Sequence, residues 1–116
     1  MTGIRKNDVI VVNLSGAIGS EQKHTRIAVV IQNNNGNKHS PTTLIMPFTH
    51  VLKGLHIPTH SLVKKSEENG LNVDSMLLGE QMRCISEERI IKKIGHITDE
   101  NVLNEIRRVY YANFGE

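Results

Sequence analysis

The chain has 116 residues with 14 Lys+Arg against 12 Asp+Glu, a net charge of +2, six His and a single Cys. That length fits one domain spanning 1–116 and excludes two independent cores, and the 38% hydrophobic and 22% charged content is that of an ordinary soluble globular domain. No apolar run approaches the ~20 residues that span a bilayer, residues 1–6 lack the apolar stretch of a signal peptide, and the lone Cys84 excludes an internal disulfide or a cysteine-built zinc site; the expectation is a cytoplasmic protein without membrane contact.

In chain order, Asp8-Val9-Ile10-Val11-Val12-Asn13 is a β-branched run bounded by polar residues, which predicts a strand buried on both faces. Leu14 to Thr25 has no apolar period and carries Gly16 and Gly19, so it reads as a loop. Arg26 to Gln32 is the clearest strand pattern in the chain. The polar block from Gln32 to Pro41 is rich in turn-forming residues and reads as a connection to a further strand, Thr42 to Met46. Pro47 removes a ladder donor and predicts that this strand ends, or lies at an edge, there. Pro58 to Val63 is a weaker strand closed by a solvated turn, Lys64 to Gly70, and Met76-Leu77-Leu78 is another apolar run. Ser86-Glu87-Glu88-Arg89 reads as a capped helical turn. Val102, Leu103, Ile106, Val109 and Tyr110 then fall on one face of an amphipathic helix, started by Thr98 or Asp99 and followed by Gly115. Several short strands and one helix suggest a small, mostly antiparallel barrel with a helix packed across it.

P-loop, GxGxxG, HExxH and GxSxG motifs are absent from the sequence. The six histidines (His24, His39, His50, His56, His60, His96) are scattered. His56 and His60 fall in a strand-and-turn region, where solvated surface histidines are expected rather than metal ligands. Cys84 reads as a small buried hydrophobe. Two Phe and two Tyr are the only aromatics, so single-strand nucleic-acid binding would rely little on base stacking. Three polar elements do sit where strands end, the usual place for functional side chains: Gly19-Ser20-Glu21-Gln22 with His24-Thr25-Arg26, then Thr49-His50, then Glu80-Gln81-Met82-Arg83.

These elements carry a resemblance. Gly19-Ser20-Glu21-Gln22-x-x-x-Arg26, Val29-Val30-Ile31-Gln32-Asn33, Gly36-Asn37-x-x-Ser40-Pro41-Thr42, Ile57-Pro58-Thr59-His60, Gly70-Leu71-x-x-Asp74-Ser75 and Glu80-Gln81-x-Arg83 keep their order and spacing from about Lys6 to Thr98. Together they resemble the MazF/PemK (Kid-like) toxins of bacterial toxin–antitoxin systems, closest to the Gram-positive branch. The resemblance implies an SH3-like barrel with a C-terminal helix, a homodimer, and metal-free, cofactor-free cleavage of single-stranded mRNA at short sequences. It also implies inhibition by a cognate acidic antitoxin. The family's catalytic Arg falls on Arg26 and its catalytic Thr on Thr49; the acid and amide of its loop fall on Glu21 and Gln22, and the Gln of its second motif on Gln81. The chain departs from the family at Ile27, where Pro usually follows the Arg, and in the bulkier Pro47-Phe48 ahead of Thr49.

Metal-free cleavage uses the RNA's own 2′-OH as nucleophile and needs a base, a stabiliser of phosphorane charge and a proton for the leaving 5′-oxygen. Arg26 suits the charge, donating paired hydrogen bonds to phosphate, and Thr49 adds a hydroxyl. Glu21 is the third candidate catalytic residue, as base, with His24 or His50 as alternatives. Ser20, Gln22, His24, Asn33 and Gln81 are the candidate RNA-binding residues, since amide, hydroxyl and ring groups read splayed base edges; the Asn run equally suits a turn chosen for backbone reasons. Two other readings stand beside this one: a non-cleaving, CcdB-like gyrase poison, with its determinants at the end of the C-terminal helix (Tyr110 to Phe114), and an inactive paralogue that only binds an antitoxin.

Overall fold

A computed structural model describes residues 3–21 and 24–115. Among them run seven strands and two α-helices: β1 (Asp8–Asn13), β2 (Thr25–Val30), α1 (Asn34–His39), β3 (Thr42–Thr49), β4 (His60–Val63), β5 (Ser75–Leu78), β6 (Arg83–Ser86), β7 (Ile90–His96) and α2 (Glu100–Ala112). Short 3-10 turns, Gly79–Gln81 and Glu87–Arg89, flank β6; the second is the capped turn expected at Ser86, whose side chain accepts from the Glu88 N–H. All pairings are antiparallel, in the order β4-β5-β3-β2-β1-β7, with β6 on β3.

β3 is the strand around which the sheet wraps. β2 pairs along one flank, while the other flank takes β6 over Thr42–Ile45 and then β5 over Phe48–Thr49. Switching partners mid-strand curls the sheet into a small barrel-like shape without closing a hydrogen-bonded ring among the described residues. Pro47 therefore does not end the strand. It sits in the interval at 46–47 where that flank of β3 has no partner, and a residue without an N–H costs least there.

The central strands are buried on both faces, as the β1 run predicts. One side chain set (Val9, Val29, Met46, Phe48, Leu77) packs under α2 through Ile106 and Val109. The alternate set (Ile10, Val12, Ala28, Val30, Ile45) packs against Ile85 of β6 and Leu14. Period-two alternation into two cores produces the unbroken apolar runs seen in the sequence.

α2 begins at Asp99, whose carboxylate accepts from the N–H groups of Asn101 and Val102. Glu68 reaches over from the β4–β5 connection and accepts from Thr98 and from the Asp99 N–H. The helix lies close against Gly79, where an added Cβ would meet Val109 Cγ1 at 2.2 Å and the Thr59 carbonyl at 2.7 Å.

Besides Pro47, four expectations need correction. The Asn-rich block is not a plain turn: Asn34–His39 is helical, because Asn33 caps it through the Gly36 N–H at 2.9 Å and Asn37 is locked to Gln32 and Thr43. β6 and β7 are strands the sequence pattern did not reveal; β6 spans only Arg83–Ser86, and bulges in the β1–β7 register break the alternation of β7. Cys84 is exposed rather than buried. His60 is buried rather than solvated.

Candidate active site

β2 begins and β3 ends at the same edge of the sheet. Their register runs Val30↔Ile45, Val29↔Met46, Ala28↔Pro47; carried two residues further, it sets Arg26 opposite Thr49. Opposed antiparallel residues point to the same side, and both side chains line one open cleft of about 250 Å³, with His50, Phe48, Leu71 and Val73 in its wall. Ile27, which stands where the resemblance leads one to expect Pro, packs against the core beneath α2 and still lines the cleft.

Arg26 is half-buried, and its Nε is shielded from water with no hydrogen-bond partner among the described residues. A buried N–H left unpaired is costly in a folded protein and marks a place where an acceptor fits. Thr49 Oγ1 accepts from the Val51 N–H at 3.2 Å. That bond uses an oxygen lone pair and leaves the hydroxyl proton to be donated elsewhere. The edge thus holds a guanidinium and a hydroxyl donor, and among the described residues Arg26 is the one lining the cleft that carries a fixed charge. Among the described residues, no three His, Cys, Asp or Glu side chains gather as they would to hold a metal ion.

The other predicted residues are distributed around this edge. Glu21 is exposed, and its carboxylate accepts from the Ile18 N–H, folding it back on its own loop rather than into the cleft. Ser20 is exposed on the same loop, and its carbonyl accepts from Gln81 Nε2 at 3.3 Å, so the loop and the Gly79–Gln81 turn come together. His24 adopts a left-handed backbone (φ 61°) at the loop's exit, its carbonyl taking the Leu14 N–H. Asn33 lies elsewhere: it caps α1 and lines a second groove with Lys6, Arg107, Tyr110 and Tyr111. Gln22 falls outside the described residues.

One cluster outside the cleft lining escaped sequence reasoning. Buried His60 bonds the Gly54 carbonyl through Nδ1 (2.8 Å) and Glu80 Oε2 through Nε2 (2.9 Å), while Thr59 Oγ1 donates to Glu80 Oε1 at 2.9 Å. Thr59-His60 and Glu80 had been noticed as separate motifs, but nothing in a one-dimensional pattern pairs residues 20 apart.

Residues 5–110 match the family of PemK-like, MazF-like toxins of type II toxin–antitoxin systems. The chain belongs to that family. The endoribonuclease MazF of Staphylococcus saprophyticus is 37% identical over 99 residues, which cover 85% of this chain and 82% of that protein. Among solved structures, MazF from Deinococcus radiodurans superposes with a TM-score of 0.81 at 19% identity, covering 97% of each chain. A mycobacterial endoribonuclease in complex with its cognate antitoxin gives 0.78 at 15% identity, covering 97% of this chain and 96% of that one. At those identities the structural likeness speaks for the fold, and it agrees with the open, wrapped sheet and C-terminal helix seen here. The MazF-like assignment itself rests on the family match and the staphylococcal relative.

Proposed function

We propose that this MazF-like protein is the toxin of a type II toxin–antitoxin pair and acts as a sequence-specific, metal-independent endoribonuclease on single-stranded mRNA. The observation that carries this reading is the shared cleft of Arg26 and Thr49 at one sheet edge. A backbone phosphate bound there accepts from the guanidinium, including the buried Nε–H that otherwise has no partner, and from the Thr49 hydroxyl. The ribose 2′-oxygen attacks phosphorus, the bond to the 5′-oxygen breaks, and the products are a 2′,3′-cyclic phosphate and a 5′-OH end. Charge grows on the non-bridging oxygens as the phosphorane forms, and donors already aimed at them lower the barrier by about 3 kcal/mol for a well-placed one. The 2′-OH proton passes to a side chain of the site, and the departing 5′-oxygen takes up a proton from water to give the 5′-OH end. His50 lines the cleft, whereas Glu21 serves only after releasing the Ile18 N–H. Ser20, Gln22, His24 and Gln81 on the neighbouring loop and turn read the bases. Asn33, a cap of α1 remote from this cleft, contributes only where RNA extends to the second groove.

An acidic antitoxin segment that pairs with Arg26 would close the cleft, in line with relatives solved in complex with their antitoxins. The protein works as a homodimer in the cytoplasm; in the structure itself no described helix is long and apolar enough to cross a membrane.

The test is cleavage of a long RNA in EDTA with cut sites mapped by primer extension. Wild-type protein is expected to cut at one recurrent short motif, and Arg26→Glu to cut nowhere while remaining dimeric. Normal cleavage by Arg26→Glu would remove Arg26 from the site, and an uncut RNA with wild-type protein would favour a gyrase-poison or antitoxin-binding role.

A further inference from the structure

At the start of β4, His60 is 7% exposed and both of its ring nitrogens face oxygen acceptors. The Gly54 carbonyl can only accept, so Nδ1 carries a hydrogen. Burial works to raise the Glu80 carboxyl, but hydrogen bonds from His60, its own backbone N–H and Thr59 outweigh it and hold that group below the usual carboxylate range. Glu80 Oε2 is therefore an ionised acceptor, and Nε2 must donate to it. A neutral imidazole has one N–H; serving two acceptors requires the imidazolium.

The pair stands outside the cleft lining but is tied to the two segments that lead to it. Gly54 belongs to the 50–59 segment that follows Thr49, and Glu80 also holds that segment through Thr59. The next residue, Gln81, donates to the Ser20 carbonyl on the loop that leads into Arg26. From α2, Arg108 donates to the carbonyls of Pro58 (2.8 Å) and His60 (3.0 Å), with Glu105 pairing Arg108 and accepting from Ser61. Glu80, Arg108 and Glu105 are thus the charged groups around His60 on the turn and the helix packed against it.

We propose that His60 and Glu80 are positioning residues, an imidazolium–carboxylate clamp that keeps the segment behind Thr49 and the loop ahead of Arg26 in register for an RNA phosphate. The proposal rests on the ribonuclease reading of the cleft and adds residues that never touch the substrate. The clamp is whole only while His60 carries both ring protons and Glu80 none. As pH falls through the depressed Glu80 value, the carboxylate is neutralised and the clamp loses its acceptor. Cleavage should therefore decline on the acid side.

Glu80→Gln separates position from charge, because its amide can donate to a neutral Nε2 while its carbonyl still accepts from Thr59. Long-range proton–nitrogen NMR correlations on the RNA-free protein are expected to show His60 with both nitrogens protonated at neutral pH, and with Nδ1–H alone in Glu80→Gln. In the EDTA cleavage assay, Glu80→Ala should lower kcat/KM roughly ten- to hundredfold, mostly in kcat, as a misplaced reacting group does. Glu80→Gln should stay near wild type at neutral pH and flatten the acid decline. A singly protonated His60 ring in the wild type, or a Glu80→Ala protein with wild-type kcat/KM and pH profile, would overturn the clamp. A doubly protonated ring in a protein that cuts no RNA supports the clamp and overturns the ribonuclease reading, so the two fail separately.

Discussion

Arg26 and Thr49 sit at strand ends, where the sheet fixes the backbone and leaves the side chain facing open space. Their contributions should differ in kind. Arg26 brings charge and several donors, whereas Thr49 brings one hydroxyl whose oxygen is already oriented by the Val51 N–H. A hydrogen bond to a charged group is worth about 1.5–3 kcal/mol, so Thr49→Ala should lower kcat by roughly ten- to hundredfold with little change in KM. Thr49→Ser keeps the hydroxyl and should restore most of that loss in single-turnover cleavage. Equal activity of the Ala and wild-type proteins would leave Thr49 with a purely structural role, the cap on the 50–51 backbone. Recognising Arg26 in the sequence needed its motif context, because a lone Arg at a strand start is ordinarily a surface cation; the orphaned Nε is what the folded chain adds.

Helix α2 is tied to the rest of the chain at both ends, and at its close the C-cap Asn113 donates through Nδ2 to the Gly79 carbonyl at 3.0 Å. At the start, Asp99 caps it and Glu68, 31 positions upstream of Asp99, accepts from Thr98 and Asp99. The Thr98 hydroxyl and N–H, and to a lesser degree the Asp99 N–H and His96, hold the Glu68 carboxyl below its ordinary value of 4.5. Glu105, bonded by Arg108 and then Ser61, and Glu80 are depressed in the same direction. Because these folded-state values lie below the unfolded ones, their stabilisation is complete above about 4.5 and is lost as pH falls through the depressed values. The measured unfolding free energy should accordingly drop with acidification below that point. Glu68→Gln should flatten the acid limb and cost at most about 1 kcal/mol at neutral pH, since Glu68 is solvent-exposed and its charge is screened. Asp99→Ala removes a cap and should cost about 1 kcal/mol by urea denaturation.

At the scale of the whole molecule, stability resides in two apolar layers on either side of the β1–β2–β3 sheet. Leu77, fully buried beneath α2, and Ile91, 56% exposed on β7, have similar side chains in opposite environments. Leu77→Ala should destabilise by about 2–5 kcal/mol through lost burial and the cavity left behind, and Ile91→Ala by no more than about 0.5 kcal/mol. A comparable loss for both would mean that Ile91 is covered in solution, as it would be in a dimer contact there. The same layering explains which faces remain for partners. The cleft opens at the strand ends, where the core residues Phe48 and Leu71 form part of its wall, so RNA or an antitoxin segment reaches Arg26 at the rim of the packing.

The amino-acid order by itself determined the strands whose residues are apolar on both faces, the amphipathic α2 with a cap at Thr98 or Asp99, and the motifs containing Arg26 and Thr49, because each is written in local composition and short spacing. It left β6 and β7 hidden, since Arg83–Ser86 is too short to show a period and the bulged pairing of β7 breaks one. It misjudged the Asn block, where a cap and the buried amide of Asn37 outweigh weak helix propensity. Only the tertiary structure decided that Arg26 and Thr49 face one cleft, and that His60 meets Glu80. Both are contacts between residues distant in the chain, and antiparallel register and the wrap of β3 bring them together where no local preference could.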